Sequence, residues 1–478
     1  LSCYNQLDER KKQMHFLHLF PRMLKKFKNL SIRQFRYEIK ANVWVICLLY
    51  AIVGVCLVAI AYWLDMELSL GGAVPHFFQA DYELTRQIVS SLVAGIITLN
   101  AFTLNSILVV LTNFSGQFTP RMLTTFISDK RTQHVMGIFN LVFVFILFSF
   151  FLLDQQVTNY YFAIPTMTVL FMLSAVAAFI YFINHSVKWM QVSNIMFNMK
   201  CESKNQILET LGKDLEPYRT REPNGSPNDL CNKEAITVCA AKSGYIQIVN
   251  YKNLVRYAQK KDLIIRFERR IGEFVLEGTP LMTYWERGSN HANVEKLRQW
   301  VYIGAKKTEV QDLEFGINKL KEIAIKSIGN DDPDTASNAI FQLTDLLLSI
   351  SKVTRFTPYL TDQKNDLRVI IKKETFEFYL YSTFSHITIY AQDDPVITND
   401  VLEAVCLLVE SIDSSYYQIS WEFALMVAKG YRAPFTFNYT RSHFLDSLEK
   451  IANTTGNQEG YRSFVEEVKQ QAEADSRS

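Results

Sequence analysis

ANVWVICLLYAIVGVCLVAIAYWL, residues 41–64, runs for 24 residues without a charge. About 20 consecutive apolar residues cross the hydrocarbon core of a bilayer as a helix, so this stretch predicts a transmembrane span. Three more uncharged stretches follow at residues 88–114, 135–153 and 164–184. Four such segments in succession argue for membrane spans over buried helices of a soluble core. Removal of the first as a signal peptide is not expected: it is too long for that apolar region and lacks a small-x-small exit site.

The basic residues set the expected orientation. Ahead of the first span stand Arg22, Lys25, Lys26, Lys28, Arg33, Arg36 and Lys40 against Glu38, and the loop after the second span carries Arg121, Lys130 and Arg131. The other two loops are acidic or uncharged, with Arg86 their one basic residue. Lysine and arginine favour the cytoplasmic side, which places both termini inside. Residues 1–40 form a basic amphipathic segment, with Phe16, Leu17, Phe20, Leu24 and Phe27 among the cations, suited to the anionic inner leaflet or simply to flanking the span. His15 and His18 on it have no companion ligands, which does not make a metal site.

Over all 478 residues the formal net charge is +2 and the hydrophobic share 49%. Those values exclude a disordered chain and the bulk basicity of a dedicated nucleic-acid binder. Seven cysteines without a C-x-x-C give no disulfide framework.

The second span has an unusual polar content. Ser91, Thr98, Asn105 and Thr112 recur every seven residues and share one helical face, drifting about 20° per heptad. Gly95 lies one turn from Ser91, while Thr103, Ser106 and Asn113 form an adjoining row and Asn100 sits apart. Carboxamides are costly in lipid unless paired, so this face is expected to meet other helices or water. It reads either as glue within or between subunits, or as the neutral lining of a pore. No charged residue lies within the four stretches, which argues against a proton-coupled transporter.

The remainder predicts a cytoplasmic α+β region. Residues 187–235 read as a helical stalk followed by a linker with three Pro and a Gly at 216–229. Residues 236–287 read as a small β-rich domain. Its Gly244-Tyr-Ile and Gly272-Glu-Phe-Val-Leu-Glu-Gly-Thr-Pro-Leu281 resemble the half-barrel, a small β-sandwich, of biotinyl and lipoyl carrier domains. Lys260 and Lys261 lack the flanking signature of a carrier lysine, so the resemblance implies architecture without an attached group. Residues 292–455 read as a mainly helical domain, with a hairpin at 359–371, and residues 456–478 as a charged tail expected to fray.

Asp331, Asp332 and Asp334 are the weak metal candidates, with Asp312 or Glu314 as first choices to complete a site. The same run reads more simply as a helix start, with Asp332 the N-cap and Pro333 the first helical residue. Phosphate-binding glycine loops, nucleophile elbows and His-Glu-x-x-His are missing, so no catalytic residue and no cofactor are expected. Asn-x-Thr sequons at 438–440 and 453–455 fall on the expected cytoplasmic side.

Several blocks together carry a resemblance. They are the polar second span, Ser115-Gly-Gln-Phe-Thr-Pro-Arg-Met122, Asp129-Lys-Arg-Thr-Gln133, Gly272 to Leu281, Lys307-Thr-Glu-Val-Gln-Asp-Leu-Glu-Phe-Gly316 and residues 327–336. In these the chain resembles the bacterial membrane-protein family called domain of unknown function 2254, over about residues 35–455. The family's last block usually reads Ser-Pro-x-x-Asn-Asp-Pro-x-Thr-Ala; here Ile328 replaces the Pro and Asp331 the Asn. The resemblance implies a bacterial inner-membrane protein and brings no activity with it. Just after the second span, Phe118, Pro120 and Arg121 read as a membrane-edge anchor. The expected partners are the bilayer and further copies of the chain, with a cytoplasmic protein or small ligand as a further partner and no nucleic acid. The expected role is an oligomeric channel with a cytoplasmic regulatory domain; the alternative is a membrane-anchored sensor or scaffold.

Overall fold

The computed structural model describes residues 43–67, 75, 79–117, 129–154, 160–225, 234–287, 291–308, 311–432 and 438–475. The basic segment 1–40 and the edge residues Phe118, Pro120 and Arg121 lie outside them. The chain forms two compact units, Leu1–Met190 and Gln191–Ser478.

The first unit holds four long helices, α1 (Val43–Met66), α2 (Tyr82–Gln117), α3 (Lys130–Leu152) and α4 (Ala163–Met190). Each contains a stretch long and apolar enough to cross a membrane. They outrun the apolar stretches because polar caps continue them: Asp81 accepts the Leu84 amide at 2.8 Å ahead of α2. α1 packs chiefly on α3, and glycine makes that approach close. A Cβ on Gly54 would stand 2.9 Å from the Leu141 carbonyl oxygen, and one on Gly137 2.5 Å from the Tyr50 ring. Small residues let apolar helices gain dispersion contact where no hydrophobic effect separates lipid from protein. Asn140 Nδ2 donates to the Cys47 carbonyl across the same seam at 2.7 Å.

Buried polar groups fasten both ends of this bundle. Asp65, fully buried, accepts the amides of Phe162, Ala163 and Ile164 at 3.1, 2.7 and 2.9 Å. It thus satisfies the orphan donors at the start of α4, where the helix dipole favours an anion. At the other end, Asp129 caps α3 by accepting the Arg131 and Thr132 amides, and His185 Nε2 of α4 lies 2.9 Å from its Oδ2.

The second unit opens with α5 (Val192–Ile207), which runs into a π-helical turn (Leu208–Leu215) and a short 3₁₀ turn (Glu216–Tyr218). Its strands are β1 (Arg219–Thr220), β2 (Ile236–Cys239), β3 (Gly244–Val249), β4 (Leu263–Phe267), β5 (Phe274–Val275), β6 (Pro280–Glu286), β7 (Val301–Gly304), β8 (Tyr359–Thr361) and β9 (Leu367–Ile370). Six of them form a sheet in the order β1-β8-β9-β4-β6-β2, and three form a second in the order β5-β3-β7. The pair β4–β9 is parallel, with Ile265 opposite Val369, and the other pairs are antiparallel. Strands of residues 236–286 thus fall in both sheets, and Arg219–Thr220, inside the Pro/Gly-rich stretch, supplies an edge strand. Lys260 and Lys261 end α6 (Tyr251–Lys261), which connects β3 to β4.

The helices are α7 (Val294–Gln299), α8 (Leu313–Gly329), α9 (Pro333–Val353), α10 (Phe376–Tyr390), α11 (Pro395–Val409), α12 (Tyr417–Gly430), α13 (Asn438–Thr455) and α14 (Gln458–Asp475). Leu320, Ala324, Ile340, Leu343, Leu347, Leu380 and Val405 are fully buried among them. The charged tail is helical through Asp475 and docks: Phe464 is buried, and a Cβ on Gly460 would stand 2.9 Å from the Trp421 ring.

Candidate functional site

On α2 the inward face is Thr85, Val89, Ile96, Thr103 and Val110, all buried. Ser91, Thr98, Asn105 and Thr112 each follow an inward residue by two positions, about 200° round a helix. They therefore face away from α1, α3 and α4, and all four are exposed. Their chemistry differs. Thr98 Oγ1 donates to the Ala94 carbonyl and Thr112 Oγ1 to that of Val109, each at 2.9 Å. Those hydroxyls are satisfied on their own helix. The Asn105 carboxamide has no hydrogen-bond partner among the described residues. Gly95 departs from the row: a Cβ there would stand 3.2 Å from Met172 Cε, so it serves the contact with α4. In the adjoining row Thr103 is buried and bonds the Leu99 carbonyl, and Ser106 bonds that of Phe102. The side chain of Asn113 lies outside the described residues.

Asp332 caps α9 by accepting the Thr335 amide at 3.2 Å, with Pro333 at its first position. Asp331 takes a left-handed φ of 56° in the turn before it, and Asp334 lies in the first helical turn. Asp312 and Glu314 stand at the far end of α8 from this run. Among the described residues, no group of three or more His, Cys, Asp or Glu side chains could hold a metal ion.

Asp312 and Glu314 belong instead to a cavity of about 40 Å³ inside the second unit, whose walls also include Tyr251, Arg270, Glu374 and Tyr379. Gln311 sets the position of this loop by bonding both backbone groups of Val249, at 2.8 and 3.2 Å. Asp312 then stands as the N-cap residue of α8 without capping it through its side chain. It is 5% exposed, and its Oδ2 has no partner among the described residues. Burial pushes its carboxyl up to about 6, against the pull of Lys307 and of the Phe315 and Glu314 amides. Gly272 permits the arrangement: at φ 86° it takes a left-handed backbone, and a Cβ there would stand 2.5 Å from Asp312 Oδ2.

Opposite lies Glu374, which accepts the Tyr379 hydroxyl at 2.9 Å. Burial raises its carboxyl, with Arg219 the strongest influence the other way. Burial and the same carboxylate raise the phenols of Tyr251 and Tyr379. Arg270 spends Nη2 on the Lys373 carbonyl at 3.0 Å and lays its guanidinium 4.3 Å from the centre of the Phe378 ring. Its Nε is buried without a partner among the described residues. Chemically the cavity offers an unmet acceptor, an unmet donor, two carboxyl groups held above their ordinary range and phenols that stay protonated. Arg270, Glu374, Tyr251 and Tyr379 carry no motif. Glu374 sits in the polar run Lys372-Lys-Glu-Thr375, which gives no local sign of its burial.

A family model described as predicted membrane protein (DUF2254) matches residues 40–406. The chain is 23% identical over 332 residues to the uncharacterized protein MT1328 of Mycobacterium tuberculosis (strain CDC 1551 / Oshkosh). It is equally similar to the uncharacterized protein Mb1321c of Mycobacterium bovis (strain ATCC BAA-935 / AF2122/97), over the same number of residues. Each match covers 66% of this chain and 63% of the relative. The chain thus spans less than two thirds of the length of the curated relatives it matches. No solved structure matches it.

Proposed function

This chain belongs to the DUF2254 family of predicted membrane proteins, and on that premise we propose that its copies associate through the outward row of α2 to form a channel-like inner-membrane protein. In this reading α1 to α4 span the bilayer, and the basic flanks hold both termini and the α+β unit in the cytoplasm as a regulatory region. One observation carries it: Asn105 faces away from the other described helices, with its amide unpartnered among the described residues. An unpaired amide in hydrocarbon costs roughly 2–7 kcal/mol, and lipid tails cannot answer it. An amide both donates and accepts, so the symmetry-related Asn105 of another copy is a complementary partner. Such interhelical bonds contribute about 1 kcal/mol each. Ser91, Thr98 and Thr112 would then line the same seam with neutral oxygens, suited to a path without an ionised site.

The test is cysteine cross-linking at position 105 in native membranes, with conductance in planar bilayers. Cross-linked copies, together with a conductance that Asn105→Leu abolishes, are expected. A monomer silent under voltage, tension and ion gradients would sink the idea. A second reading, a membrane-anchored sensor or scaffold, draws support from the polar cavity of the α+β unit.

A further inference from the structure

We infer that the cavity beside the first turn of α8 binds a compact zwitterion, an amino acid of glycine or alanine size, with its ammonium on Asp312 and its carboxylate on Arg270. The inference rests on the sensor reading and is independent of any association through α2.

Asp312 Oδ2 is an acceptor and Arg270 Nε a donor; both are buried, both lack a partner among the described residues, and both residues line one cavity. Buried polar atoms are nearly always hydrogen-bonded, and leaving one unmet costs about 1–3 kcal/mol. One molecule that answers both must carry a donor and an acceptor, and the charge-assisted forms of these are the strongest. The wall carries both signs: Asp312, Glu314 and Glu374 line it together with Arg269, Arg270 and Lys372, of which Arg269 and Lys372 pair with Glu273. A net cation would meet Arg270 and a net anion the carboxyl groups, whereas a zwitterion can orient to suit both. Size narrows the class. A volume of about 40 Å³ accommodates roughly three water molecules, and their share of liquid volume is about that of five or six heavy atoms. Metal ions are poorly served, since no group of three or more metal-ligating side chains occurs among the described residues.

The experiment uses the full chain in lipid nanodiscs at neutral pH, with glycine, alanine and leucine as probes and methylammonium and acetate as the two halves of the ligand. Thermal shift and calorimetry read binding. Glycine and alanine are expected to raise the melting temperature, with methylammonium, acetate and leucine each about tenfold weaker or more. Asp312→Asn is expected to weaken glycine by about tenfold while the unliganded protein melts no lower than its parent, which separates lost binding from lost folding. Arg270→Lys, which keeps the charge and lacks Nε, is expected to weaken it similarly. Undiminished glycine binding in Asp312→Asn would overturn the site. Equal binding of leucine would overturn the size assignment. If methylammonium or acetate binds as well as glycine, the zwitterion falls and the sensor reading stands; silence from every probe removes the zwitterion and leaves the sensor reading without its small ligand.

Discussion

Asn105 on α2 and Asp312 Oδ2 at the head of α8 both lack a partner among the described residues, yet they stand in opposite surroundings. Asn105 is exposed on the outside of an apolar bundle, and Asp312 is buried beside a small polar cavity of the α+β unit. The difference teaches where each must find its partner. In the proposed membrane span, an outward amide is met by another chain or by a water-filled path. A buried carboxyl can be met by a ligand or, as pH falls toward about 6, by a proton. Asp65 is the control for both: fully buried in the apolar unit, it is answered by three amides of its own chain.

The largest effect is expected at that control. Asp65→Ala orphans the start of α4 and should cost on the order of 3–4 kcal/mol, read as lost thermal stability in detergent or nanodiscs. A cost below that of Asn105→Ala would break the contrast between satisfied and unsatisfied groups.

Asp312 comes next, with the opposite sign. Its carboxyl titrates at about 6 in the fold against 3.8 ordinarily, so between those values the native state holds more protons than the unfolded chain. Stability from this group is therefore greatest below about pH 4 and falls as pH rises through about 6, by on the order of 3 kcal/mol. Asp312→Asn should flatten that part of the pH–stability curve and raise the melting temperature at neutral pH. An unchanged curve would mean that the carboxylate is met within the fold.

Asn105→Leu should leave the monomer's stability nearly unchanged and weaken association by about 1 kcal/mol per interhelical bond, measured by dilution of the oligomer in detergent. Association unaffected by the change would detach the α2 row from the interface. Thr98→Val is the smallest, within about 0.5 kcal/mol for both folding and association, because its hydroxyl already bonds the Ala94 carbonyl. A Thr98 effect larger than that of Asn105 would show that the hydroxyls, not the amide, carry the row.

Much of this architecture was legible along the chain. Charge-free stretches of span length marked α1 to α4, and the heptad spacing of Ser91, Thr98, Asn105 and Thr112 placed them on one face. The Asp332-Pro333 pair marked the start of α9. Other features were not legible. Nothing near Ile265 announces that it pairs in parallel with Val369, because strand partners are chosen by packing between segments remote in sequence. Asp65 looked like part of an acidic loop, and only the folding of α4 back beside α1 turned it into a cap. Asp312 reads in the sequence as a first choice to complete a metal site with the 331–334 run, but α8 separates the two and Asp312 lines a cavity with Arg270 and Glu374 instead.

By itself, then, the sequence determined which segments are apolar enough to need a bilayer or a core, and which residues share a helical face. Both follow from local sums over about 20 residues and from the fixed helical period. Only the tertiary structure decided which polar groups are answered: three amides for Asp65, nothing among the described residues for Asn105, a cavity for Asp312. A hydrogen bond needs its two atoms within about 3 Å and aligned, and such proximity between distant segments exists only once the chain has packed.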